Sequence, residues 1–335
     1  MTGRADTPSI DGSSADRPPV APTGHYILPA PLAVSVSVIG GACSAAQALV
    51  NGRLGDRVGS PVTAALVSNG LATVVLVGIA LAFPSVRAGL RRVRAARLPW
   101  WQYIGGVLGA VSVAGTALAA PVLGVALLTV VQVCGTSMGG IATDRIGLGP
   151  SGRVPMTGIR LASALVAIAA VAVSQFGRPI GHIAVGMLAF ILVLGLCRPV
   201  QVALNGRVTA AAINVGSASL VNAVLGTSAL LVAMVGFRMA GHLSFGSWPS
   251  GWWLYLGGLL ALVVTGSNMV TVQSIGVLRT GLSALAGQIS GGLLLDALVP
   301  GSVRPTGWLF FGASLTMIAA LGAGLGRQTG TKRVR

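Results

Sequence analysis

The chain has 335 residues, of which 53% are hydrophobic and only 8% charged, and it carries a formal net charge of +16. Soluble domains carry roughly 25% charged residues, so this composition excludes a water-soluble surface and requires an integral membrane protein. The arginine excess does not point to nucleic acid, because the basic residues lie between apolar runs and not on one basic domain.

Residues 1–29 are rich in Ser, Pro, Asp and Gly and read as a disordered tail. The first apolar run lacks the basic start and small-residue cleavage site of a signal peptide and is read as a retained span. A crossing helix needs about 20 mainly apolar residues. Such runs predict an all-α chain with spans at 31–52, 62–83, 100–120, 122–143 and 157–176, then 183–204, 215–237, 251–271, 274–295 and 306–326. Two divisions rest on tight turns, near Pro121 and near Gln273.

The two sets of five are repeats. "GACSAAQALVNGR" from Gly41 matches "GLCRPVQVALNGR" from Gly195, and "PWWQYIGGVLGA" from Pro99 matches "GWWLYLGGLLAL" from Gly251. "CGTSMGGIATD" ending at Asp144 matches "AGQISGGLLLD" ending at Asp296. Residues 30–180 and 181–326 are therefore expected to form two five-span repeats, followed by a basic tail at 327–335. An odd number of spans per repeat inverts the second repeat in the membrane. The loop after span two holds Arg87, Arg91, Arg92, Arg94 and Arg97, whereas its counterpart after span seven holds Arg238 alone. This bias, with Arg327, Lys332, Arg333 and Arg335, predicts cytoplasmic N- and C-termini. Inverted repeats meeting near the midplane are a recurrent transporter architecture.

Gln-x-x-x-Asn-Gly-Arg closing span one, Trp-Trp-x-x-x-Gly-Gly opening span three, and Gly-x-x-x-Gly followed by Asp closing span four resemble the YdcZ branch of the drug/metabolite transporter superfamily. The resemblance covers about residues 30–326 in both halves. It implies a ten-helix inner-membrane exporter whose substrate is generally unassigned. The family pattern of Gly-Gln late in span four is kept by Gly287-Gln288, but the first half has Gly135-Thr136 with Gln132 one turn earlier.

Cys43, Gln47 and Asn51 are spaced by four, as are Cys197, Gln201 and Asn205, so each trio forms one helical stripe. An amide facing lipid leaves its hydrogen bonds unmade. The stripes therefore either line a solute path or bond helices together, the latter worth roughly 0.6 kcal/mol each. Deeper polar groups repeat as well: Ser68 and Asn69 against Asn222, Thr116 against Asn268, and Gln132 with Thr136 against Gln288. Asn268 and Gln288 are the stronger cavity candidates of these. Arg198 lies deep in span six where its repeat partner is Ser44, and it reads either as an anion-binding or gating residue or as a snorkelling stem. Arg279 is close enough to a loop for snorkelling to explain it. Asp144 and Asp296 close spans four and nine, and capping or pairing is the plainer reading beside a proton-carrying one. Gly135 with Gly139, and Gly287 with Gly291, predict close packing of spans four and nine, on each other or across a homodimer. Trp100, Trp101, Trp252 and Trp253 read as interfacial anchors.

The leading expectation is a secondary transporter of a small polar or amphipathic solute, with the lipid bilayer as its other partner. An enzyme would need a nucleophile–base set or metal ligands, but His25, His182 and His242 are scattered in the tail or loops, so no catalytic residue, metal or cofactor is expected. The three cysteines, Cys43, Cys134 and Cys197, fall in apolar runs and imply no disulfide framework. Glu is absent, which argues against the proton-for-cation exchange of small multidrug exporters. A membrane scaffold without transport activity is the alternative, and it does not require mirrored polar stripes.

Overall fold

The computed structural model describes residues 28–148, 182–241, 246–299 and 306–325, together with 158, 162, 165, 166, 169 and 173. The terminal tails and most of the span expected at 157–176 lie outside the described residues, as does His242. All regular structure among the described residues is helical: α1 (Ala30–Val58), α2 (Pro61–Ala82), α3 (Pro84–Ala95), α4 (Ile104–Leu123), α5 (Val125–Ile146), α6 (His182–Ala212), α7 (Val215–Met239), α8 (Gly257–Leu298) and α9 (Gly307–Leu325). Short 3-10 turns at Trp100–Tyr103 and Trp252–Tyr255 lead into α4 and α8. Among the described residues, six segments are long and apolar enough to cross a membrane: Ala30–Val58, Pro61–Ala82, Trp100–Leu123, Val185–Ala212, Val215–Met239 and Trp252–Val272.

Local chemistry sets the boundaries. α1 ends on Gly59, whose φ of 76° is the left-handed cap that glycine adopts without a Cβ penalty. Ser60 then caps α2 by accepting from the Thr63 amide at 3.2 Å, and Asn214 does the same for α7 with the Ser217 amide at 3.0 Å. Phe83 is extended because it precedes Pro84, which ends α2 and opens α3. Gly124, with φ 77° and ψ 155°, separates α4 from α5.

Two elements depart from the sequence reading. The segment after α2, read as a basic loop, is largely the helix α3. It buries Val86, Gly89 and Val93 and leaves Arg87, Arg91, Arg92 and Arg94 exposed. Ser217 Oγ donates to Val86 O at 2.8 Å and ties α3 to the start of α7. The Asn-Gly-Arg motifs also do not end their helices. α1 runs on to Val58 and α6 to Ala212, and 29 residues of helix span about 44 Å, well beyond a hydrocarbon core of about 30 Å.

α8 is helical throughout its 42 residues, which would measure about 63 Å if straight. Its contacts forbid that. Ser267 lies against Gly40 and Ala284 against Gly41, neighbours only about 3.8 Å apart, whereas 17 residues of straight helix cover about 26 Å. The helix therefore doubles back between these residues, near where Ser274 Oγ accepts from the Leu28 amide at 3.0 Å and Thr280 O accepts from Ser37 Oγ at 2.8 Å. This reversal matches the turn expected near Gln273 and makes α8 two antiparallel limbs, the counterparts of α4 and α5.

The halves are inverted. Gly105 and Gly109 of α4 lie on Asn205 and Gln201 of α6, and Gly115 lies on Leu194, so α4 and α6 are antiparallel. Gly52 of α1 meets Ala117, Ala120 and Pro121 at the other end of α4. The C-terminal ends of α1 and α6 therefore lie at opposite ends of the bundle. α5 runs parallel to α6, with Gly135 over Leu192 and Gly139 over Leu196. The second limb of α8 runs parallel to α1, with Gly287 over Val38 and Gly291 over Ala42. The four packing glycines thus seat α5 on α6 and α8 on α1 within one chain. A Cβ at Gly135, Gly139 or Gly287 would meet a backbone carbonyl oxygen, which explains the residue type. The largest buried apolar cluster, including Leu128, Val130, Ile191, Ile289 and Leu309, joins these elements.

Candidate functional site

The duplicated motifs find each other across the repeats. Arg53 of the first Asn-Gly-Arg lies 5.8 Å from the ring centroid of Trp253, and Arg207 of the second lies 5.4 Å from that of Trp101. Asn51 Oδ1 lies against Gly257 and Asn205 Oδ1 against Gly105, each so close that a Cβ on the glycine would collide. The Asn-Gly-Arg end of one repeat therefore docks on the Trp-Trp-x-x-x-Gly-Gly start of the other. The outer tryptophans Trp100 and Trp252 stay 77% and 73% exposed, as anchors at an interface would be. The inner two are occupied by arginine.

Between these docked ends lies a cavity of about 390 Å³, within the usual range for small-molecule sites. Gln47, Gln132, Gln201, Asn205, Asn268 and Gln288 line it with Arg198. Asn69, Thr116 and Asn222 also line it, so polar positions from both repeats converge on one space. Asn51 does not line it. Ser44, Ser112, Thr209 and Thr265 line it too, although the sequence does not mark them as path residues. A lone hydroxyl in an apolar helix can bond its own i−4 carbonyl, as Thr209 does with Asn205 O at 2.8 Å, and so gives little sequence signal.

Among the described residues, Arg198 is the one ionisable residue in this lining. It reaches inward: Nη1 donates to Gln132 Oε1 at 3.4 Å and to Gln288 Oε1 at 3.5 Å. Gln288 Nε2 donates to Gln132 Oε1 at 2.9 Å. A guanidinium only donates, so both amide oxygens must face it, which fixes the orientation of the two glutamines. The trio draws on α5, α6 and the second limb of α8.

Asp296 lies outside this lining. Asp296, only 3% exposed, accepts from the Val125 amide at 3.2 Å, so a second-repeat side chain caps the first turn of α5. The side chains of Asp144 and Arg279 lie outside the described residues.

The two mirrored seams differ. Along α6 the cavity continues through Gln201, Asn205, Gly206, Thr209 and Ala210, and Val272 faces it from α8. Along α1 it stops at Ala48. Beyond that point Gly52 packs on α4, where a Cβ would sit 3.2 Å from Ala120 Cβ and Pro121 Cδ. By the repeat register Gly52 corresponds to Gly206 and Ala120 to Val272, and both of these counterparts line the cavity, whereas Gly52 and Ala120 do not. Asn51 is fully buried, and neither its Nδ2 nor its Oδ1 has a partner. Ser68 Oγ beside it is also unpartnered. Asn205, its counterpart, is half-buried on the cavity wall.

Comparison with known proteins gives the same division of the chain. The family model described as "Putative inner membrane exporter, YdcZ" matches residues 32–173 and again residues 186–323. The chain belongs to this family. Its two matches coincide with the two inverted halves, and YdcZ membership supports a transporter role in an inner membrane. No curated protein matches. Six solved chains do. One of them, described only as "Crystal structure of protein", is 17% identical and covers 88% of this chain and 96% of its own, with a TM-score of 0.53. That is a likeness of fold.

Proposed function

We propose that this chain is a secondary transporter, working as an exporter, that moves a small polar or amphipathic solute by alternating access between its inverted repeats. One observation carries the reading. Two seams related by the repeat hold opposite conditions, one continuous with a polar cavity and the other sealed over an unpartnered amide. In a symmetric fold the exchanged arrangement, with the α1 seam open and the α6 seam closed, is the natural second state. Orphaned polar atoms at Asn51 and Ser68 cost about 1–3 kcal/mol each. That cost keeps the closed seam from being a deep minimum, and water entering on opening relieves it. With cytoplasmic termini, the arrangement described opens toward the cytoplasm.

Single cysteines placed at Asn205 and at Ala120 in a background lacking Cys43, Cys134 and Cys197 test this. In intact cells and inverted vesicles, an impermeant maleimide should reach position 205 from the cytoplasmic face and position 120 from the outer face. Reaction of both from one face, or of neither, would favour the scaffold alternative.

A further inference from the structure

The open edge of Arg198 suggests what the cavity selects. A guanidinium carries five N–H donors. Both hydrogen bonds that Arg198 makes leave from Nη1, and Nε and Nη2 bond to nothing among the described residues. Neither nitrogen is among the sealed, unpartnered polar atoms of the bundle, and the residue lines the cavity. Arg198 forms no ion pair with any described residue. Its hydrogen bonds go to two neutral glutamine oxygens, and no carboxylate stands among the described lining residues. An intramembrane charge normally pairs or serves a pathway. Its counterpart in the first repeat, Ser44, is uncharged and lines the same cavity, so the charge is a single feature added near the meeting of the halves.

We infer that the cavity takes a small anionic solute, a carboxylate or similar oxoanion, seated on the Nε–Nη2 edge of Arg198. That edge presents two parallel N–H donors at the spacing of carboxylate oxygens. Gln132 and Gln288 hold the guanidinium from its Nη1 side, so the fork is already positioned. The eight lining amides offer donors and acceptors for the remainder of the solute. This inference rests on the transporter reading and adds the charge of the cargo.

The test works with a charged thiol reagent in place of the solute. Val202 lies one helical turn from Arg198 and also lines the cavity. Val202→Cys, with the native cysteines replaced, is treated in purified protein with anionic sulfonatoethyl and with cationic trimethylammonioethyl methanethiosulfonate. The anionic reagent should react faster, relative to a small free thiol, by on the order of ten-fold. Arg198→Gln should abolish the preference, and Arg198→Lys should retain it. Removing an unpaired charge favours folding, so the Gln variant remains testable. Equal rates, a cationic preference, or a preference unchanged by Arg198→Gln would overturn the inference while leaving alternating access standing. Failure of both reagents to react would instead remove the open cavity, and with it the reading beneath.

Discussion

Asn51→Leu should favour the arrangement described here and slow the exchange of states. Asn51 is fully buried, and both amide atoms lack partners. Leaving such a group unsatisfied costs about 1–3 kcal/mol, and leucine replaces it with a similarly shaped apolar side chain. Part of the gain is lost to the tight contact with Gly257. A net relief of about 2 kcal/mol corresponds to a shift of about 30-fold between states. The readout is the labelling rate of Ala120→Cys, a position sealed while the α1 seam is shut. That rate should fall about 30-fold when Asn51→Leu is added, with a raised melting temperature. Asn205→Leu should act in reverse, because Asn205 would be the sealed amide in the exchanged state. An unchanged labelling rate, or a loss of thermal stability, would show that the Asn51 amide is satisfied and refute the reasoning.

Gly41→Val should prevent assembly, because its Cβ would enter the backbone carbonyl of Ala284; loss of folded protein by fluorescence size exclusion checks this. Asp296→Ala should cost about 0.5–2 kcal/mol through the lost α5 cap, while Asp296→Asn, which keeps an acceptor oxygen for the Val125 amide, should cost less in thermal unfolding. Trp101→Leu should destabilise by about 0.5–1 kcal/mol through the lost contact with Arg207, and a double-mutant cycle with Arg207→Gln isolates that term.

The repeat and its spans were legible because a hydrocarbon core demands long apolar helices and duplication leaves aligned residues. The amides that line the cavity were legible for a related reason. Gln47, Gln201, Asn268 and Gln288 are costly in a span unless they face something polar. α3 was hidden because a search for apolar windows passes over a short helix with one apolar stripe, although Pro84 and the spacing of Val86, Gly89 and Val93 were present. The Arg53–Trp253 and Arg207–Trp101 contacts join opposite repeats, and no local pattern reports such a pairing. On the proposed mechanism, the burial of Asn51 beside the open position of Asn205 belongs to one conformational state. Two copies of the same motif cannot encode which of them is shut.

The most direct test is a four-cysteine protein combining Gly52→Cys with Ala120→Cys and Gly206→Cys with Val272→Cys, the native cysteines removed. The first pair has Cβ positions about 3.2 Å apart in the closed seam, near the roughly 3.5–4.5 Å of a disulfide. Its mirror pair lines the cavity. After mild oxidation in native membranes and intact-mass analysis, each molecule should carry one cross-link or the other and none should carry both. Molecules bearing both cross-links, or a mirror pair that never closes, would contradict alternating access.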